Sequence, residues 1–268
     1  MPINFQVNYQ AVVPKEDLGA GESAEQRMYF ATTCWTTVLA ATQPTGDRSA
    51  ALQELCKIYW QPVFVFLRRR GYSRQDAEDA TQDFFLNLLA NDVLGRADKG
   101  RGRFRSFLLT ALRNFTADAH DRTRAEKRGG QYEFLSWETL RAASDTTVWT
   151  EPADQVTPEA AFERQWAHVL LRQTLSQLRR EMASRGKEAI YIALLPFLTV
   201  KGEAGAQERA AQKLGLSLAN WRVTLFRMRD HYRRCLRAEV ARTLEAPGEV
   251  RDELRHLAAV LRREGSEG

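Results

Sequence analysis

The sequence predicts an all-α protein made of two small helical domains joined by an acidic linker. Three observations lead there. Nearly every patterned segment repeats its apolar residues at helical spacing, alternating runs bounded by tight turns are missing, and the charge changes sign near residue 129. With 268 residues, 44% of them apolar, the chain has material for the cores of roughly two domains.

Residues 1–30 hold Gly19, Gly21 and scattered polar residues without a period, and read as a partly ordered leader. A first domain is expected over 31–128, with helices near 35–41, 49–70, 74–91 and 104–127. Gly71 closes the second of these and Pro62 should kink it. Ser73 and Asp76 stand where a capping box opens the third. Residues 129–157 open with Gly129-Gly130 and set Glu133, Glu138, Asp145, Glu151 and Asp154 against Arg141 alone, which marks an acidic linker. Thr157-Pro158-Glu159 then supplies an N-cap, a proline at the first helical position and an early carboxylate. A second domain follows over 158–244, with helices near 158–184, 187–199, 206–214 and 217–243. A tail helix lies within 245–268, at about 248–263. The tail's Val250, Leu254, Leu257, Ala258 and Leu261 make an apolar stripe that fits its own domain better than a regulator.

Several function classes are disfavoured. Cys34, Cys56 and Cys235 lie far apart and share no ligand spacing with His120, His168, His231 and His256, so neither a disulfide framework nor a metal site is expected, and no cofactor. The apolar run 189–200 is too short to span a bilayer and contains Pro196, and nothing at the N-terminus reads as an export signal; the expected location is the cytoplasm.

The helix from Phe104 separates into two faces when residues are placed at steps of about 100°. Phe104, Phe107, Leu108, Ala111, Leu112, Phe115 and Ala119 form one; Arg105, Arg113, Thr116, His120, Arg124 and Lys127 form the other. Such an array also suits a plain solvated face. Its surroundings favour nucleic acid: the loop Asp98-Lys99-Gly-Arg101-Gly-Arg103 precedes it, and residues 101–128 carry eight Arg and Lys against three Asp and Glu. That surplus equals the whole chain's net charge of +5.

In the helix before it, Ala77, Ala80, Thr81, Phe84 and Leu88 form the core stripe, and Asp76, Asp79, Gln82 and Asp83 the far side. Leu86 lies among those polar residues with Phe85 and Leu89 at its margin, which suits either a partner helix or ordinary surface. A two-metal nuclease using these acids is the weakest reading, since no His joins them.

Gln207 to Ser217 followed by Leu218 to Arg237 is a helix-turn-helix candidate, with Gly215 in the turn and Ser217 as cap. Trp221, Leu225, Met228, Tyr232 and Cys235 define a buried stripe; Ala219, Val223, Phe226 and Arg227 stand opposite, flanked by Arg222 and Arg229. A recognition helix uses such N-terminal residues in the major groove.

These blocks, in this order, resemble a known family. Tyr59-Trp-Gln-Pro-Val-Phe-Val-Phe-Leu-Arg-Arg-Arg-Gly71, Asp76-Ala-Glu-Asp-Ala-Thr-Gln-Asp-Phe-Phe-Leu-Asn-Leu88 and Phe104-Arg-Ser-Phe-Leu-Leu-Thr-Ala-Leu-Arg-Asn-Phe-Thr-Ala-Asp118 resemble region 2 of the extracytoplasmic-function sigma factors of bacterial RNA polymerase, a branch of the sigma-70 family. Ala210 through Arg229 is similar to their region 4. The resemblance implies a non-enzymatic initiation factor whose partners are core RNA polymerase, promoter DNA and, in some members, an anti-sigma factor or other regulator. It implies core-polymerase contacts by Asp79, Gln82, Asp83, Phe85, Leu86 and Leu89. It implies minus-10 contacts by Asp98, Lys99, Arg101, Arg103, Arg105, Arg113, Asn114, Asp118, His120, Arg124 and Lys127, with melting driven by capture of unpaired bases. Minus-35 contacts would fall to Ser217, Ala219, Asn220, Arg222, Val223, Phe226 and Arg227. The sequence departs from the family at Trp221, where a valine is usual, and in Gln207-Glu-Arg-Ala-Ala211 before the turn. A helix-turn-helix regulator acting without polymerase is the competing reading.

Overall fold

The computed structural model describes residues 47–90, 103–122, 156–198, 205–244 and 247–262. The leader, the helix expected near 35–41, the basic loop up to Gly102 and nearly all of the acidic linker lie outside the described residues. Eight α-helices and two short 3-10 helices, and no strands, make up the described residues. In chain order they are α1 Asp47–Arg69, α2 Arg74–Ala90, α3 Phe104–Arg122, α4 Pro158–Ala183, α5 Glu188–Leu194, α6 Ala206–Lys213, α7 Leu218–Arg242 and α8 Val250–Arg262. The chain divides into two compact units, one within Phe30–Ala167 and Arg242–Pro247, the other within His168–Ala241 and Gly248–Gly268. The division falls inside α4.

Local chemistry sets the helix ends. α1 is assigned as helix through the buried Pro62, although proline cannot donate to the carbonyl one turn back. It ends where Tyr72 N–H donates to Leu67 O at 3.3 Å around Gly71, whose φ of +93° an L side chain rarely adopts. At α2 the Ser73 hydroxyl accepts from Asp76 N–H at 3.1 Å and donates to Asp76 Oδ2 at 2.6 Å, so the cap closes through the side chain. Thr157 Oγ1 accepts from Ala160 N–H at 3.2 Å at the start of α4, and Ser217 Oγ from Asn220 N–H at 3.3 Å at the start of α7. Between α6 and α7, Gly215 at φ +64° lets Leu216 N–H return to Ala211 O at 2.9 Å.

The first unit is held by aromatic side chains. Tyr59 of α1 meets Phe104 of α3 edge-on at 5.5 Å and stacks on Phe162 of α4 at 6.5 Å. Trp60 stacks on Phe85 at 6.2 Å, and Phe84 of α2 meets Phe115 of α3 at 5.5 Å. Val65, Val156 and Ala161 form a further buried cluster, and Gln165 Nε2 donates to Gln61 Oε1 at 2.8 Å. The start of α4 is thereby part of this core.

In the second unit the expected stripe of α7 is buried, from Trp221 through Leu225, Met228 and Tyr232 to Cys235. Trp221 meets Phe197 edge-on at 5.4 Å, and the Tyr191 hydroxyl of α5 donates to Leu175 O of α4 at 3.3 Å. The tail helix α8 buries Leu254, Leu257, Ala258 and Leu261 within this chain, as expected of a stripe that fits its own domain. Glu253 is buried with them.

Phe84 is 1% exposed between two aromatic rings. Phe84→Ala is expected to destabilise the first unit by about 3–5 kcal/mol, read as a lowered urea midpoint for that unit's transition.

Candidate nucleic-acid and partner surfaces

α2 presents an acidic face, because its apolar stripe turns Ala77, Thr81, Phe84 and Leu88 inward. Asp79 and Asp83 are exposed, Gln82 is partly so, and Leu86 is partly buried rather than fully outward. Phe85 departs from expectation. It is 5% exposed and stacked on Trp60, so it packs in the core instead of standing at the margin of the exposed face. The Leu89 side chain lies outside the described residues. Crowding by the protein, and secondarily the charge of Asp79, push the Asp83 carboxyl above its ordinary range.

α3 shows a different division of faces from the one its period predicts. Leu108, Leu112 and Phe104 are buried as expected, but Arg105 is 4% exposed and Thr116 3%. Arg105 lies with its guanidinium 4.6 Å over the Trp166 ring, and its Nε is 3.9 Å from Glu163 Oε1. Thr116 donates its hydroxyl to Arg113 O at 2.9 Å. The cause is α4, whose first turns cover that side of α3 and give the helix two buried flanks instead of one. Arg105 is therefore withdrawn from the basic face. Arg113 and Asn114 remain exposed and Arg103 partly exposed, with Arg113 Nε donating to Glu159 Oε1 of α4 at 3.1 Å. Asp98, Lys99, Arg101, Arg124 and Lys127, and the side chains of Asp118 and His120, lie outside the described residues.

The cap Ser217 and, on α7, Ala219, Asn220, Arg222, Val223, Phe226 and Arg227 are all exposed on one side. Phe226 is 68% exposed, an unusual place for a phenyl ring unless something covers it. Arg229 does not share that surface. Its Nε and Nη2 donate to Leu198 O at 3.1 Å and Phe197 O at 2.6 Å, closing the 3-10 helix Leu195–Phe197. The burial that goes with this role, and then Arg233, lower its pKa.

One group of residues was missed in the sequence. Glu181 of α4, His231 and Cys235 of α7 each place a ligand-type atom within 4.8 Å of the others. The expectation that no histidine shares a ligand spacing with a cysteine is corrected here: His231 and Cys235 are four residues apart on one helix face, a readable signal. Glu181 lies fifty residues away in sequence and carried none. Burial works to raise the Glu181 pKa, but hydrogen bonds from Gln177 and His231 and the charges of His231 and Arg185 outweigh it and hold the carboxyl below its ordinary range.

A carboxyl whose folded pKa is raised penalises the folded state above that pKa, and the penalty fades as pH falls through it toward the unfolded value. Asp83→Asn is accordingly expected to match or slightly exceed the wild type in stability at neutral pH, with the difference vanishing in the acid range. Because Asp83 is exposed, solvent keeps the effect small. Urea midpoints measured across pH 3–7 for both proteins check this.

Residues 57–126 match the family model for Sigma-70 region 2, about a quarter of the chain. No curated protein and no solved structure matches the chain significantly. The matched stretch runs from the second half of α1 through α3, so both the acidic face of α2 and the remaining basic face of α3 fall inside it, and the helix-turn-helix of α6 and α7 falls outside. The match supports a member of the sigma-70 family, a group of non-enzymatic factors of transcription initiation.

Proposed function

We propose that this protein is a bacterial transcription initiation factor of the extracytoplasmic-function type, which binds core RNA polymerase in the cytoplasm and directs it to specific promoters without chemistry of its own. The observation that carries the reading is the Sigma-70 region 2 match over the helices that bear both the acidic face and the exposed Arg113 and Asn114. Among the described residues no helix is long and apolar enough to cross a membrane.

In this reading Asp79, Gln82, Asp83 and Leu86 dock on polymerase. Arg103, Arg113 and Asn114 hold the melted minus-10 strand together with the basic loop and the polar residues further along α3. The arginines supply phosphate contacts, and captured bases offset the cost of unstacking. Arg222, Val223, Phe226 and Arg227 read the minus-35 duplex, with the apolar pair suited to thymine methyls and the arginines to guanine edges. A regulator such as an anti-sigma factor would compete for these same surfaces.

The test is transcription by core RNA polymerase on a library of promoter-bearing fragments. Initiation at a restricted set of sites is expected with the purified chain. Leu86→Glu should weaken core binding by at least about tenfold, near 1.4 kcal/mol, while the far-ultraviolet circular dichroism stays unchanged. Unaltered assembly of that variant contradicts the interface. Sequence-specific duplex binding by the chain alone, with no directed initiation, contradicts the function.

A further inference from the structure

Glu181, His231 and Cys235 form a cluster that the proposed function does not use. All three lie in one compact unit, within His168–Ala241. His231 and Cys235 sit one turn apart on α7, and Glu181 reaches them from the last turns of α4, with His231 Nε2 2.5 Å from Glu181 Oε2. Gln177 Nε2 donates to the other carboxylate oxygen at 3.0 Å, an outer contact of the kind that orients a ligating carboxylate. Cys235 is 5% exposed, whereas the His231 and Glu181 side chains are 15% and 35% exposed and leave one side open to water.

The chemistry of these groups narrows their use. Cys235 is buried, which withholds its thiol from reagents in solution. A carboxylate, an imidazole and a thiol converging from two helices are instead the donor types of a zinc-class site, and the sulfur argues against calcium or magnesium. Thiolate and carboxylate together balance a divalent ion. The three ligand atoms already lie within 4.8 Å of one another, on the scale of a site whose bonds are about 2.0–2.3 Å.

We propose that Glu181, His231 and Cys235 bind a thiophilic divalent cation of the zinc class, with water in the fourth position, and that the ion clasps α4 to α7 within this unit. On binding, Cys235 releases its thiol proton and any proton shared by His231 and Glu181 leaves with it; no redox change takes place.

The full-length chain, reduced and stripped with chelator, is titrated with zinc against a chromophoric chelator and separately with cobalt. One equivalent of zinc, a near-ultraviolet thiolate-to-cobalt band and a thermal midpoint that rises with zinc are expected. Cys235→Ser should lose the band and Cys34→Ser should keep it. Glu181→Gln and His231→Gln, which retain hydrogen-bonding side chains and so guard against a folding defect, should each weaken zinc binding by at least about 100-fold, more than loss of an outer-shell partner causes. Absence of the cobalt band in the wild type, or zinc affinity unchanged in Glu181→Gln and Cys235→Ser, overturns the proposal and leaves a His–Glu pair beside a buried thiol.

Discussion

The stacking of Arg105 on Trp166 is the contact around which the first unit is organised. A guanidinium that is 4% exposed is tolerated only if something replaces its water, and here an indole face at 4.6 Å contributes, with Glu163 Oε1 3.9 Å from Nε to offset charge. A desolvated pair of this kind is worth on the order of 2 kcal/mol. It also fixes geometry. With Trp166 in place, Phe162 stacks on Tyr59 and Gln165 bonds Gln61, so the first turns of α4 complete a core that α1, α2 and α3 leave open on one side.

This docking changes how the basic helix works. Arg105 acts from inside as a strut, while Arg113 stays at the surface in an exposed ion pair with Glu159. Pairs of that sort contribute about 0–1 kcal/mol and are screened by salt, so a phosphate can displace the carboxylate at little cost. In the proposed function α4 therefore does two jobs on α3, one permanent through Trp166 and one exchangeable through Glu159.

Much of this was legible in the sequence. Ser73, Thr157 and Ser217 announced helix starts, Gly71 and Gly215 announced ends, and the Trp221 to Cys235 stripe announced the buried side of α7, because each signal is local and spans at most a few turns. Phe85, Arg105 and Thr116 were misread for one physical reason. A period identifies one buried face, whereas α2 and α3 each touch more than one neighbour, and the neighbour covering Arg105 starts some fifty residues downstream. Arg229 was misread because its partners are carbonyls, which leave no trace in residue type. The Glu181–His231–Cys235 group was half legible, through the spacing of its two α7 members.

In the proposed function α3 and α7 serve different parts of one promoter. Site-specific photocrosslinking in open complexes formed with core RNA polymerase tests it, with the probe placed in turn at the exposed positions Asn114 and Arg222. The Asn114 probe is expected to mark the melted minus-10 strand and the Arg222 probe the duplex at the minus-35 element. Crosslinks from both probes to the same segment, or in the reverse order, would contradict it.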